Sequence, residues 1–154
     1  MKIIDDFLSP FSWVPMSAAL RSATFPWYYD EEFGKFIHLF YKNKQPTSKV
    51  GSIVNPIIKE LNVKEVSKVE ANLVPKTSFR RTAEFILTSD GSLNGSKSAI
   101  YYLNTNNGYT KFDTGEKVKC IANRMVIFDS TIKHVGFSCT NEKQKILIKF
   151  NYEG

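Results

Sequence analysis

Two adjacent tyrosines, Tyr101 and Tyr102, lie in the stretch of this chain whose residue types could best serve a bound molecule. The run 99–103 around them is rich in aromatic and β-branched residues, which favour a half-buried strand. Because successive side chains of a strand point to opposite faces, one of the two hydroxyls can point into whatever the sheet encloses. There it could donate a hydrogen bond to a bound group.

The residues after this run predict a turn and a return strand. Residues 104–108 read Asn-Thr-Asn-Asn-Gly, and both Asn and Gly tolerate the backbone angles that tight turns require. Residues 109–112 then resume the strand pattern. The sequence therefore predicts a β-hairpin over residues 99–112.

Three further residues of this half carry chemically active groups, but each has an ordinary structural explanation when taken alone. Asp90 precedes Gly91 and is a typical turn residue. His134 resembles any histidine at a strand end. Lys145 resembles a solvated charge at a strand start, since alternation places it opposite Ile146 and Ile148. Tyr102 could likewise be a plain core aromatic.

Composition restricts the class of protein. The chain has 154 residues, with 42% hydrophobic and 23% charged residues, which predicts one soluble domain over residues 1–154. Its formal charge of +6 is scattered, with Arg80-Arg81 as the only adjacent basic pair, so a nucleic-acid partner is not expected. Two cysteines are too few for a disulfide framework. No run is long enough to span a membrane, so we expect no membrane partner and an intracellular location.

The elements that would position these residues are mostly short strands. Helices are predicted at 13–24 and 50–61, the second from Val54, Ile57, Ile58 and Leu61 at helical spacing. His38 lies in an apolar strand and is interpreted as a core residue. The predicted strands cover residues 2–7, 36–41, 66–74, 85–87, 99–103, 109–112, 117–122, 125–129, 134–138 and 146–152. The pattern predicts a β-rich α+β fold, a jelly roll or barrel with N-terminal helices on one side.

Four segments in this order resemble a known family. They are 99–110 (AIYYLNTNNGYT), 123–130 (NRMVIFDS), 134–136 (HVG) and 145–152 (KILIKFNY). Together they are similar to the iron(II)- and 2-oxoglutarate-dependent dioxygenases, especially the short prolyl-4-hydroxylase-like proteins of phages. The resemblance covers nearly the whole chain and implies a double-stranded β-helix, that is, a jelly roll.

The resemblance also implies a site. His134 corresponds to the distal metal-ligand histidine, and Asp90 corresponds to the carboxylate ligand. Lys145 corresponds to the cation that pairs with the far carboxylate of 2-oxoglutarate, and Tyr102 to the tyrosine that shares it, with Tyr101 facing away. Thr110 is placed with them as a cofactor-binding residue. No catalytic residue beyond these is implied.

The sequence departs from the family pattern at the first metal ligand. Thr88, not histidine, stands two residues before Asp90, and a hydroxyl is a poor iron(II) ligand compared with imidazole. Lys145 is a point charge where a bidentate arginine is more common. Lys149 adds a second ammonium on the same strand face as Lys145. Weak or lost activity is therefore expected.

Two functions follow from this resemblance. One is a phage dioxygenase, a hydroxylase that uses iron(II) and 2-oxoglutarate on an unidentified substrate in the cytoplasm of the infected host cell. The alternative is an inactive jelly-roll protein that needs neither cofactor. It would be a structural component of the virion, associated with neck, tail or capsid, and would have protein partners in the particle.

Overall fold

The computed structural model describes residues 1–79 and 96–154. Within these residues the α-helices are α1 (Pro10–Arg21) and α2 (Asn55–Leu61), with a 3-10 helix at Gly51–Val54 immediately before α2. The strands are β1 (Lys2–Ile4), β2 (Tyr28–Asp30), β3 (Lys35–Lys42), β4 (Gln45–Pro46), β5 (Glu65–Pro75), β6 (Ser96–Tyr102), β7 (Tyr109–Phe112), β8 (Lys117–Lys119), β9 (Arg124–Asp129), β10 (His134–Phe137) and β11 (Gln144–Glu153). Neither described helix has the length and apolarity that a membrane crossing requires.

The described strands form two antiparallel sheets. Eight of them form a large sheet in the order β1-β9-β6-β11-β5-β3-β2, with β4 attached to β3. Three form a small sheet in the order β10-β7-β8. Both helices pack on the outer face of the large sheet, and the small sheet covers its inner face. The predicted β-rich jelly roll with helices on one side is confirmed.

Both faces of the large sheet are therefore buried. Because successive side chains of each strand point to opposite faces, the core has an outer and an inner part. Tyr101, Ile146 and Ile148 belong to the outer core, which also contains Leu20 of α1 and Ile57 of α2. The side chains that alternate with them point toward the small sheet, where Tyr102 and Leu147 pack with residues of β7 and β8. A polar residue on the inner face is consequently enclosed rather than solvated.

The predicted hairpin over residues 99–112 is wrong. β6 pairs with β9 and β11 in the large sheet, whereas β7 pairs with β8 and β10 in the small sheet. The intervening residues 103–108 form a corner that carries the chain between sheets. Asn104 fastens this corner to β11, because its Nδ2 donates to the Gln144 carbonyl and its Oδ1 accepts from the Ile146 amide. Asn106 caps backbone groups within the corner, because its Nδ2 donates to the Asn104 carbonyl and its Oδ1 accepts from the Gly108 amide.

The first helix begins three residues earlier than predicted. Pro10 lies in its first turn, where its missing N–H costs no hydrogen bond. The helix ends at Arg21, and Ser22 is extended and turns its hydroxyl back onto the Ala19 carbonyl. The predicted strand at 85–87 lies outside the described residues.

Candidate functional site

The space between the two sheets contains a cavity of about 330 Å³. Among the described residues, the polar side chains that line it come from both sheets. The large sheet contributes Lys35, Asn72, Lys145 and Lys149, and the small sheet contributes Thr110 and His134. A volume of this size is at the lower end of those that bind small molecules.

His134 lies at the start of β10 and is 3% exposed. Its ring packs edge-on against Phe128 at 5.0 Å and lies 5.7 Å from Phe112. In the part of the chain that the structure describes, neither ring nitrogen has a partner in hydrogen-bonding geometry. Burial and the positive charge of Lys149 together lower the pKa of His134 to about 4, although the nearby Ile132 backbone opposes this. The imidazole is therefore neutral at pH 7, with one nitrogen free to accept and one to donate.

Lys145 is 2% exposed although it is a lysine at the start of a strand. Its Nζ donates to the Phe137 carbonyl at 2.9 Å. Two glycines leave room for it, since a Cβ atom at Gly136 would lie 3.3 Å from Nζ and one at Gly108 would lie 3.2 Å from Cδ. Burial lowers the pKa of Lys145. No carboxylate of the described chain forms an ion pair with it.

The two predicted hydroxyl residues meet across the sheets. The Tyr102 hydroxyl, on the inner face of β6, donates to Thr110 Oγ1 on β7 at 2.7 Å. Burial raises the pKa of Tyr102 far above its usual value, so the phenol remains protonated. Because Thr110 Oγ1 accepts this bond and lines the cavity, its own hydrogen is free to donate into the cavity.

Tyr101 faces the other way. Its hydroxyl donates to Asn123 Oδ1 at 2.7 Å on the outer face. The same amide bonds both the N–H and the carbonyl of Leu8. This tyrosine therefore fastens the N-terminal segment onto the sheet and takes no part in the cavity.

A second cluster of polar residues on the inner face lies near Lys149. Lys35 Nζ donates to Asn72 Oδ1 at 3.0 Å and lies 3.9 Å from Glu70. Glu70 also accepts from Asn72 at 2.7 Å and lies 3.6 Å from Lys68. Burial opposes ionisation of Glu70, but the Asn72 hydrogen bond and the surrounding lysines keep its pKa below the usual value. Sequence reasoning missed Lys35, Glu70 and Asn72. The available signal was that Lys68, Glu70 and Asn72 alternate with apolar residues, a pattern usually typical of a solvated face.

The two remaining site predictions fall elsewhere. Asp90 and Thr88 lie outside the described residues. His38 is enclosed as predicted, with Nδ1 2.7 Å from the Pro26 carbonyl oxygen and Nε2 2.6 Å from Ser48 Oγ. Among residues 1–79 and 96–154, no three His, Cys, Asp or Glu side chains lie together in a way that could hold a metal ion.

Solved structures share this architecture. The chain superposes on a prolyl-4-hydroxylase of Pseudomonas putida with a TM-score of 0.68 and 13% identity, covering 99% of this chain and 92% of that one. A 2OG-Fe(II) oxygenase family oxidoreductase of Burkholderia pseudomallei also superposes with a TM-score of 0.68 and 8% identity. That match covers 98% of this chain and 82% of the other. A Trichoplax adhaerens prolyl hydroxylase, in complex with a hypoxia inducible factor peptide fragment, gives 0.58, with 14% identity over 99% and 82%.

The chain has the fold of the 2-oxoglutarate- and iron(II)-dependent oxygenases. This oxygenase fold is shown by the superpositions alone, since no protein-family profile and no curated protein matches the sequence. The oxygenase fold explains why β6, β7, β10 and β11 converge on one cavity, because a double-stranded β-helix encloses its interior between two facing sheets.

Proposed function

We propose that this protein binds 2-oxoglutarate, or a closely similar oxo dicarboxylate, inside the roll. Lys145 would hold the far carboxylate, and Thr110, supported by Tyr102, would donate a hydrogen bond to the same group. The observation that carries this proposal is the Lys145 ammonium, which is 2% exposed and, among the described residues, has one carbonyl as its hydrogen-bond partner. A buried ammonium without a counter-charge costs several kcal/mol, and a bound anion removes that cost.

Iron(II) fits this chain poorly. The 2-His-1-carboxylate triad needs two histidines, and the chain contains two in total. One of them, His38, already has partners at both ring nitrogens. Only His134 is left, with Asp90 as the carboxylate that the family resemblance implies. We therefore propose that iron-dependent hydroxylation is weak or lost.

The first experiment measures binding. Isothermal titration of 2-oxoglutarate into the full chain should give a saturable isotherm. Lys145→Met should weaken binding at least tenfold, because Lys145 is the least exposed of the described lysines that line the cavity. Lys76→Met is the matched control, since Lys76 also lines the cavity but is exposed. If wild-type protein does not bind 2-oxoglutarate with or without iron(II), the proposal is wrong.

The second experiment measures turnover. Consumption of 2-oxoglutarate with ample iron(II) and ascorbate should stay at the background of protein-free controls. The Thr88→His variant supplies the imidazole that the family pattern has at this position. It serves as the comparison in which turnover is expected to rise. Robust turnover by the wild-type chain would overturn the loss of activity and return the protein to the hydroxylases.

A structural role in a phage particle is the second candidate, and one surface feature favours it. Tyr28 and Tyr29 are 62% and 63% exposed on β2, the edge strand of the large sheet, and Phe33 follows at 39%. Exposed aromatic groups of this kind are common at protein interfaces. Mass spectrometry of purified particles tests this candidate, and absence of the chain from the particles removes it.

A further inference from the structure

Lys149 is a second cation in the cavity for which the proposed function gives no role. It lies four residues after Lys145 on the same face of β11, with Leu147 between them. Its side chain is partly buried and lines the cavity. It forms no hydrogen bond or ion pair with any described residue. Within residues 1–79 and 96–154 this lysine has lost much of its hydration without gaining a partner.

Among the described residues, the carboxylate that acts on Lys149 is Glu70, and it is already shared. Glu70 lies opposite Lys149 in the β5–β11 pairing, but it forms ion pairs with Lys35 and Lys68. The inner face therefore has more positive than negative groups. Burial lowers the pKa of Lys149 to about 7, and the charges of Lys35 and Lys145 act in the same direction. An anionic ligand would reverse both effects.

Lys149 and His134 line the same cavity, from the large and the small sheet respectively. After burial, the charge of Lys149 is the main cause of the lowered pKa of His134. His134 is the residue that the family resemblance assigns to the metal. When protonated, Lys149 therefore places a positive charge in the same cavity as the residue that the resemblance assigns to the metal. The side chain that provides it belongs to the same strand as the cation proposed to hold the far carboxylate.

We propose that Lys149 replaces the metal electrostatically: its ammonium binds the 2-oxo-acid end of a dicarboxylate while Lys145 binds the other end. The site then holds its ligand without iron. This inference rests on the proposed function and adds to it how the second carboxylate is held. The two Cα atoms are about 13 Å apart along the strand. Both side chains line the cavity, so we infer that a five-carbon diacid can reach from one ammonium to the other.

The test uses metal-free protein and ligands that lack one end. Wild-type full-length chain, treated with EDTA, is titrated with 2-oxoglutarate, with glutarate and with pentanoate. Lys149→Met should weaken 2-oxoglutarate and glutarate binding at least tenfold. Pentanoate has a single carboxylate, which Lys145 can still bind, so its affinity should fall clearly less than that of the two diacids. Lys149→Arg keeps the charge, so its affinity for 2-oxoglutarate should stay within about threefold of wild type. The affinity of the Lys76→Met control should also stay within that range.

Each outcome separates the two proposals. Binding that appears only after iron(II) is added overturns the role of Lys149 and leaves the oxo-acid site intact. An equal loss of all three ligands in Lys149→Met, or a similar loss in Lys149→Arg, shows that Lys149 shapes the cavity and does not bind the second carboxylate, which also overturns the inference. Absence of binding in wild type under every condition removes the proposed function itself. Circular dichroism of each variant confirms that it is folded.

Discussion

Among the individual residues, the buried Lys145 most needs an explanation. A methionine would fill the same space without a charge, and replacing buried charges by apolar side chains of similar volume is often stabilising. Retaining an ammonium there lowers the stability of the empty protein. Sites that bind charged ligands commonly carry such a cost.

Lys145→Met is therefore expected to stabilise the ligand-free protein while it abolishes binding. The expected gain is about 1–3 kcal/mol, offset in part by the lost hydrogen bond to the Phe137 carbonyl. For a chain of this length that is a rise of a few degrees in Tm, measured by calorimetry. A lower Tm in the variant would show that the ammonium is already compensated in the empty protein.

Dicarboxylate affinity is expected to fall as the pH rises above about 7. Burial lowers the pKa of Lys149 to about 7, and only its protonated form attracts an anion. Affinity should therefore be constant below that pH and weaken above it, by at most about tenfold per pH unit. The described charged residues that act on Lys149 are Lys145 on the same strand, Lys68 and Glu70 on the neighbouring β5, and Lys35 on β3.

Titrations between pH 6 and 9 measure this dependence. His134, with a pKa of about 4, is neutral throughout that range and adds no slope. Lys149→Met should give a flat profile. If the variant keeps the wild-type slope, the titrating group is another one, and the lowered pKa of Lys145 makes that residue the next candidate.

At the scale of elements, the corner at residues 103–108 sets the position of the Lys145 side chain. Gly108 lies where a Cβ atom would be 2.7 Å from the Phe137 carbonyl oxygen and 3.2 Å from Lys145 Cδ. The same carbonyl accepts the hydrogen bond from Lys145. The corner, the start of β11 and the end of β10 therefore form one tightly packed unit.

Gly108→Ala is expected to destabilise the protein by about 1–3 kcal/mol, because the added methyl group meets backbone that cannot move cheaply. It should also weaken 2-oxoglutarate binding by displacing Lys145. Gly51→Ala is the matched control, since a Cβ atom there meets nothing within 4 Å, and we expect a change of at most about 1 kcal/mol. Urea denaturation measures both. Similar stabilities for the two variants would contradict the close packing of the corner.

Strand positions could be predicted from the sequence, but strand partners could not. The alternation in residues 99–103 and 146–152 located β6 and β11 and separated Tyr101 from Tyr102. The Asn-rich segment after β6 has the residue types of a hairpin turn, and local chemistry does not distinguish a hairpin from a corner between sheets. That choice is made by long-range contacts, here the two hydrogen bonds between Asn104 and β11.

At the scale of the whole molecule, closure of the roll changes the meaning of the polar residues. Alternation alone places Lys145 opposite the apolar face and predicts a solvated charge. The small sheet covers the inner face, which carries Lys145. Lys145 and His134 are therefore enclosed in a cavity. The sequence could therefore indicate these residues only through the family resemblance. Lys35 and Asn72, which have no place in that resemblance, could be found only from the three-dimensional structure.

The small sheet is the part of the roll whose opening would empty the cavity. Its described strands have three or four residues each, whereas β5 and β11 in the large sheet have eleven and ten. Short strands with few neighbours open at lower free energy than a long central pair. Side-chain hydrogen bonds that link the two sheets include the Tyr102–Thr110 and Lys145–Phe137 contacts.

Ligand binding should therefore slow hydrogen exchange most clearly in β7 and β10. A ligand that binds only the closed roll stabilises it by about 2.7 kcal/mol at one hundred times its Kd, which slows exchange through the open state about one hundredfold. Exchange monitored by NMR or mass spectrometry, with and without 2-oxoglutarate, measures this. The fraying first turn of α1 should be unaffected, and Lys145→Met should show no slowing anywhere. Unchanged exchange in β7 and β10 at saturating ligand would mean that the two sheets do not close on it, because a ligand held between Lys145 and Thr110 must be released before those strands can separate.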